Sequence, residues 1–271
     1  MQKNTVRPAA VAGMFYPSGE DQLHQMLDQM LENAQHNVEP NAQKYAAAPK
    51  AIIAPHAGYI YSGQTAADVY ARLQSIKQTI TRVVLLGPAH RVGFHGIAAS
   101  TAEHFSTPLG EIPLDQELLT KALSIEGVIP LNEAHAQEHS LEVQLPFLQT
   151  VLGEFTLAPF VVGDAPDELT ARLIEALWGG DETLIVVSSD LSHFLDYRTA
   201  CKKDATTATN IESYQGEKIG PHDACGYAPI RGLMKVAKQK NMEIERVSIC
   251  NSGDTAGDKS RVVGYASYAL H

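Results

Sequence analysis

The sequence predicts an α/β fold, a single domain over residues 1–271 with three layers and a mostly parallel or mixed central sheet. Two observations carry this. Short apolar runs alternate with amphipathic segments along most of the chain. Three of those runs also end alike: Ile52-Ile53-Ala54-Pro55 leads into His56, Val83–Leu86 leads through Gly87-Pro88-Ala89 into His90, and Leu184–Val187 leads through Ser188-Ser189-Asp190-Leu191-Ser192 into His193. Brief runs that are apolar throughout suit parallel strands covered on both faces. Open α/β sheets place their chemistry beyond the carboxyl ends of such strands.

Residues 6–17 read as an irregular, partly apolar opening, because Pro8 and Pro17 oppose a continuous helix or a central strand. Arg7 is expected in a surface salt bridge and Tyr16 in packing. Leu23, Met26, Leu27, Met30 and Leu31 give an amphipathic helix capped near Ser18. Residues 33–48, rich in Ala, Gln and Asn, read as an exposed connection. Ala51–Ala54, a helix after Gly63 and the strand over 81–86 form a strand–helix–strand unit of the usual right-handed kind. Residues 94–99 add a short strand, and 105–113 a loop or edge hairpin. A helix carries Leu118, Leu119 and Leu123.

Residues 132–148 are helical at their centre, where Leu141, Leu145 and Leu148 share a face; Pro146 bends or shortens that element. Strands follow over 155–163 and 184–187, with a helix over 167–177 between them. Residues 201–214 read as a helix that caps the site. A further helix carries Leu233 and Val236, strands cover 242–249 and 262–270, and Asn251–Asp258 is a turn-rich loop.

A net charge of −10 and the lack of a basic run argue against nucleic acid as a partner. No apolar stretch is long enough to span a membrane. Cys201, Cys225 and Cys250 are too few and too dispersed for a disulfide framework. With no secretory pattern after Lys3 and Arg7, a cytoplasmic setting is the expectation. Burial is expected of Cys201 and Cys250; Cys225, at a loop-to-helix junction, is a candidate thiol nucleophile or soft metal ligand.

The three strand-end histidines point to a mononuclear metal site, since imidazole nitrogen suits Fe, Zn, Cu and Ni. His56 and His90 converge if their strands are neighbours. A carboxylate from Asp190, Glu138 or Asp254 can complete the set, and His193 serves as a ligand or as an acid–base group. His135 and His139 lie one helical turn apart; His139, beside Glu138, is the better candidate for a role in the chemistry. No Gly-x-Ser-x-Gly elbow and no phosphate-binding loop is present.

Taken jointly, several motifs resemble the MEMO family, named for its mediator of cell motility. They are Arg7 with Ala12-Gly13-Met14-Phe15-Tyr16-Pro17, Pro55-His56-Ala57-Gly58-Tyr59, Gly87-Pro88-Ala89-His90, Glu138-His139-Ser140-Leu141-Glu142, Ser188–His193 and Asp223-Ala224-Cys225-Gly226. The chain looks most like the microbial branch, protein B of the AmmeMemoRadiSam system. That likeness implies a radical-SAM protein and an AMMECR1-type protein as partners. The family in turn is similar to the catalytic subunits of class III extradiol dioxygenases, which implies an αβα sandwich with a cleft at the strand ends. It implies His56 and His90 as metal ligands, His193 as acid–base group or further ligand, and Asp190 as an orienting or binding residue. A late-loop cysteine ligand of the animal branch falls near Asn251–Asp258, where Asp254 is the expected donor. Fe(II) is the expected metal, with Cu or Zn as alternatives. The resemblance leaves two functions open: a non-haem iron oxidoreductase acting on an unknown small molecule, or an accessory protein that binds a peptide or protein in the same cleft.

Overall fold

The apolar runs assemble into one mixed sheet whose parallel centre brings the predicted strand ends into line. The computed structural model describes residues 5–36 and 48–271. The first part comprises β1 (Val6–Arg7), α1 (Glu20–His36), β2 (Ala51–Ala54), α2 (Tyr59–Tyr70), β3 (Arg82–Pro88), β4 (Ile97–Ala99), β5 (His104–Thr107), β6 (Gly110–Pro113) and α3 (Gln116–Leu123). Next come β7 (Val128–Pro130), α4 (Asn132–Ala136), α5 (His139–Glu142), α6 (Leu145–Leu152), β8 (Thr156–Val162), α7 (Asp167–Ala176) and β9 (Thr183–Ser188). The chain ends with β10 (His193–Leu195), α8 (Tyr197–Glu212), α9 (Tyr227–Gln239), β11 (Ile244–Asn251), α10 (Ser252–Thr255) and β12 (Val262–Leu270).

The large sheet has the order β10-β12-β2-β9-β3-β8-β4-β7, with β11 paired to β12. β2, β9, β3 and β8 are parallel; β4 joins β8 antiparallel, and β12 joins β2 antiparallel. Val187 is in register with both Ile53 and Leu86, so β2, β9 and β3 stop together. The residues that follow them therefore meet at one edge. The link from β2 to β3 runs one way along the sheet and the link from β8 to β9 runs the other. Right-handed crossovers then place α2 and α7 on opposite faces, with the reversal point at β9. The packing agrees: α1, α2 and α6 touch one another, as α7 touches α3 and α9. β2 and β9 are buried along their whole length, which is why their sequences are continuously apolar.

Two glycines let the outer segments reach this edge. A Cβ on Gly87 would lie 2.8 Å from Ser140 Oγ and 2.9 Å from Leu141, so its absence lets α5 lie against β3. A Cβ on Gly226 would lie 2.7 Å from Ser189 Cβ and 2.8 Å from the Ser188 carbonyl, so its absence lets the Cys225 turn close over the end of β9.

Several details differ from the sequence reading. Residues 6–7 are not irregular: β1 pairs with β5 beside the β5–β6 hairpin in a separate three-stranded sheet. The helix expected around Leu141–Leu148 is broken into α5 and α6, and Pro146 falls in the first turn of α6, where a missing N–H leaves no bond unmade. α1 continues to His36, while residues 37–47 of the expected connection lie outside the described residues. Cys201 is exposed rather than buried, because it sits on an outer position of α8. Among the described residues, no helix is long and apolar enough to cross a membrane.

Candidate metal centre

His56 leaves the end of β2, His90 follows β3, and His139 opens α5. β2 and β3 are not neighbours, since β9 lies between them. Their loops nonetheless bring the rings together. Ring centroids are 5.2 Å apart for His56–His90, 5.5 Å for His56–His139 and 4.6 Å for His90–His139. One ring nitrogen from each lies within 4.8 Å of the other two. His56 is buried, and the His90 and His139 side chains are 27% and 14% exposed, so the set faces outward on one side only.

Glu138 orients two of the three histidines. Its Oε2 accepts the His90 backbone N–H at 2.6 Å, and its Oε1 lies 2.9 Å from His90 Nδ1. Burial alone would raise the Glu138 pKa, but hydrogen bonds from the His90 ring and backbone and from the Ser140 N–H together hold it down at about 2. An ionised carboxylate only accepts, so His90 Nδ1 carries a proton, and Nε2 is the nitrogen left for the lone pair of the neutral ring. The Ser140 N–H bond also makes Glu138 the N-cap of α5, which sets the direction in which His139 leaves the helix. His139 packs against the tilted Phe15 ring at 4.7 Å, and its buried Nδ1 lies 3.3 Å from Glu138 Oε1 without hydrogen-bonding geometry.

Burial, reinforced by the neighbouring imidazoles, disfavours the charged form of His56 and His139. His56 is pushed well below its ordinary pKa, and His139 is lowered to about 4. A neutral imidazole is the ligating form. One converging ring nitrogen from each of three histidines, two of them held neutral by burial, is the donor chemistry that a borderline transition metal requires.

The remaining predicted residues are placed as follows. Asp190, at the end of β9, is buried; its Oδ1 accepts the His56 backbone N–H at 2.7 Å, and burial raises its pKa to about 7. His193 starts β10 and pairs through its backbone with Val263. It stands outside the three converging donors but is near enough to help depress His56. Asp254 is not at the centre. Its Oδ1 accepts the Tyr197 hydroxyl at 2.6 Å, and its Oδ2 accepts the Asn251 N–H at 3.0 Å within a capping box that starts α10. The late loop folds on itself, and both carboxylate oxygens are taken. Cys250 also lies apart, with its sulfur 3.0 Å from Thr65 Oγ1. The sulfur that reaches the histidines belongs to Cys225, 3.3 Å from His56 Nε2, and burial pushes its thiol pKa up to about 12. His135, the weaker of the helical pair, is buried and bonded through Nε2 to the Ala98 carbonyl.

A cleft of about 580 Å³ opens beside the histidines, lined by Pro88, His90, Arg91, Phe94, Cys225 and Tyr227. Sequence reasoning missed Ser188 and Gln144, which are fully buried and hydrogen-bonded at the back of His56. Ser188 lies within a motif that was singled out for its histidine; Gln144 had no sequence signal.

Burial lowers His135 to about 4 as well. For His56, His135 and His139 the unfolded chain binds protons that the folded chain refuses, so each favours folding above its ordinary pKa and loses that contribution as pH falls through its folded value. Asp190, between about 4 and about 7, and Asp204, also raised by burial, act in the opposite sense, but burial lowers His193 as well, so they are two groups against four. The metal-free protein is therefore expected to lose stability as pH drops from about 6.5 to about 4. A urea midpoint that stays level or rises across that window would contradict this balance.

A family profile described as Memo-like protein matches residues 7–269. A relative named MEMO1 family protein from Aquifex aeolicus (strain VF5) is 37% identical over 273 residues, covering 96% of this chain and 97% of the relative. Another of that name, from Aeropyrum pernix, is 35% identical over 280 residues and covers 96% and 98%. The crystal structure of an uncharacterized Escherichia coli K12 protein superposes with a TM-score of 0.51 at 13% identity, covering 80% of this chain and 98% of the other. At that identity the likeness concerns the α/β fold alone.

Proposed function

This chain belongs to the Memo-like, or MEMO1, family, and on that premise we propose that it is a mononuclear metal-binding protein whose chemistry is related to that of class III extradiol dioxygenases. The observation that carries the reading is the convergence of His56, His90 and His139 from three separate elements, with Glu138 leaving His90 Nε2 free. These three would hold the ion, and Cys225 lies close enough to add sulfur. Fe(II) is the first choice, with Cu and Zn as alternatives. When bound, the metal would supply Lewis-acid or redox chemistry at the base of the cleft.

The protein groups divide the other tasks. Glu138 orients His90 and caps the helix that presents His139. Phe15 packs against His139 and would help to hold that ring in place. Asp190 holds the His56 backbone. His193, whose pKa burial lowers, would accept or return a substrate proton at the edge of the site. A second reading, a peptide- or protein-binding accessory protein, is favoured by exposed apolar side chains that adjoin the site in the chain: Met14 before Phe15, Ile60 in the first turn after the His56 loop, and Phe194 after His193. Oxygen uptake by the Fe(II)-loaded protein over a panel of catechols separates the two. Consumption above that of the metal-free protein is expected for at least one catechol. Full metal occupancy without oxygen chemistry would favour the accessory reading.

A further inference from the structure

His56 must ligate through a nitrogen that carries no proton, and the protein settles which nitrogen that is before any metal arrives. Ser188 Oγ has a single proton. It lies 2.6 Å from the Ser140 carbonyl oxygen, which can only accept, so the proton is donated there. The same Oγ lies 2.8 Å from Gln144 Nε2. The Gln144 amide can sit only one way round: Nε2 faces the Pro55 carbonyl at 2.9 Å, and Oε1 accepts the Tyr70 hydroxyl at 2.9 Å. Reversing it would set two oxygens against each other at Pro55 and at Ser188. Gln144 therefore donates to Ser188.

With its proton committed to Ser140, Ser188 Oγ can only accept from its remaining partner, His56 Nδ1 at 2.8 Å. That nitrogen therefore carries hydrogen, and Nε2, on the Cys225 side, keeps its lone pair. Ser188, Gln144 and Tyr70 are 0% exposed and His56 1%, so water does not compete for these bonds.

We propose that Ser188 and Gln144 are positioning residues that lock His56 in the Nδ1–H tautomer and so preset its Nε2 for metal ligation. The ligation half of this rests on the metal reading above; the tautomer half does not. Long-range proton–nitrogen correlation spectra of metal-free, histidine-labelled protein at about pH 8, where imidazole is neutral, report the tautomer directly. The His56 signals are assigned by their loss in His56→Asn. The expected result for the wild type is Nδ1–H.

In Ser188→Ala the Nδ1–H has no acceptor, whereas Nε2 still faces the Cys225 sulfur, so the ring is expected to move toward Nε2–H. Zn²⁺ affinity, measured by competition with a chromophoric chelator, is expected to fall about 10- to 100-fold, as when outer partners of metal-bound histidines are removed. Ser188→Thr, which keeps the hydroxyl, is expected to retain the wild-type tautomer and affinity. An Nε2–H ring in the wild type overturns the proposal without requiring any Ser188 variant to fold. An unchanged tautomer in Ser188→Ala overturns the lock, and unchanged Zn²⁺ affinity alongside a changed tautomer overturns its role toward the metal. A wild-type Nδ1–H ring in a protein that takes up neither Zn²⁺, Cu²⁺ nor, anaerobically, Fe(II) would sink the metal reading while leaving the lock in place.

Discussion

Replacing His56 and His90 together by Ala is expected to reduce bound metal from about one transition-metal ion per chain to about none, on protein purified anaerobically without chelator. These two residues supply two of the three converging nitrogens. Their removal leaves His139 beside the ionised Glu138, a pair without the geometry of a closed or three-ligand site. The change also reaches the supporting groups. Glu138 loses the His90 ring N–H but keeps the His90 and Ser140 backbone N–H groups, so its carboxylate is not abandoned. His56 is 1% exposed and its loss opens a void; the double variant therefore needs an unfolding curve beside its elemental analysis. His90→Ala alone, at a more open position, is expected to weaken retention with little loss of stability. Full metal occupancy in a folded double variant would remove the premise on which both functional readings stand.

What could be read from the chain, and what could not, follows from the range of the interactions. The last strand was legible as Val262–Leu270 because all of its signal is local: a continuous apolar run between turns. The three strand ends were legible for the same reason, and they pointed to His56 and His90. Strand order was not. Nothing local in Leu184–Val187 says that it inserts between β2 and β3, and the convergence of His56 with His90 was expected from neighbouring strands rather than from loops that lean over β9. Asp254 was misplaced because a carboxylate in a turn-rich loop looks the same whether it caps its own helix or faces a metal; the Tyr197 hydroxyl and the capping box decide between the two. His139 was singled out for its Glu138 neighbour, yet its place as third nitrogen depends on Gly87, 52 residues earlier, leaving room for α5. The Ser188–Gln144 contact spans 44 residues and has no periodic signature.

Arg7 is the plainest case of this limit, and it carries the second large effect. An arginine near the start of a chain, among prolines, reads as a solvated surface charge. In the fold it is 7% exposed and paired with Glu142, which is fully buried. Glu142 also accepts the Ala10 and Val11 backbone N–H groups at 2.8 and 2.9 Å and the Tyr16 hydroxyl at 2.6 Å. Arg7 in turn donates through Nε to the His135 carbonyl and through Nη2 to the Glu138 carbonyl, each at 2.9 Å. The opening segment is thereby clamped onto the helix that begins with His139, and Phe15 is delivered to the face of that ring. Arg7→Ala strands a buried carboxylate and removes the donors from two carbonyls. A loss of about 3–5 kcal/mol is expected from breaking one side of a buried pair. For a protein of ordinary stability, about 5–15 kcal/mol, that is a large lowering of the urea midpoint. Arg7→Lys restores the charge but not the fork that reaches Glu142 and both carbonyls, so it should recover only part of the loss. Because the clamp and the metal ligand share one short helix, the same variant should bind metal more weakly even where it remains folded. A midpoint for Arg7→Ala equal to that of the wild type would show that Glu142 is satisfied by its three other donors alone, and that the clamp contributes nothing to holding His139.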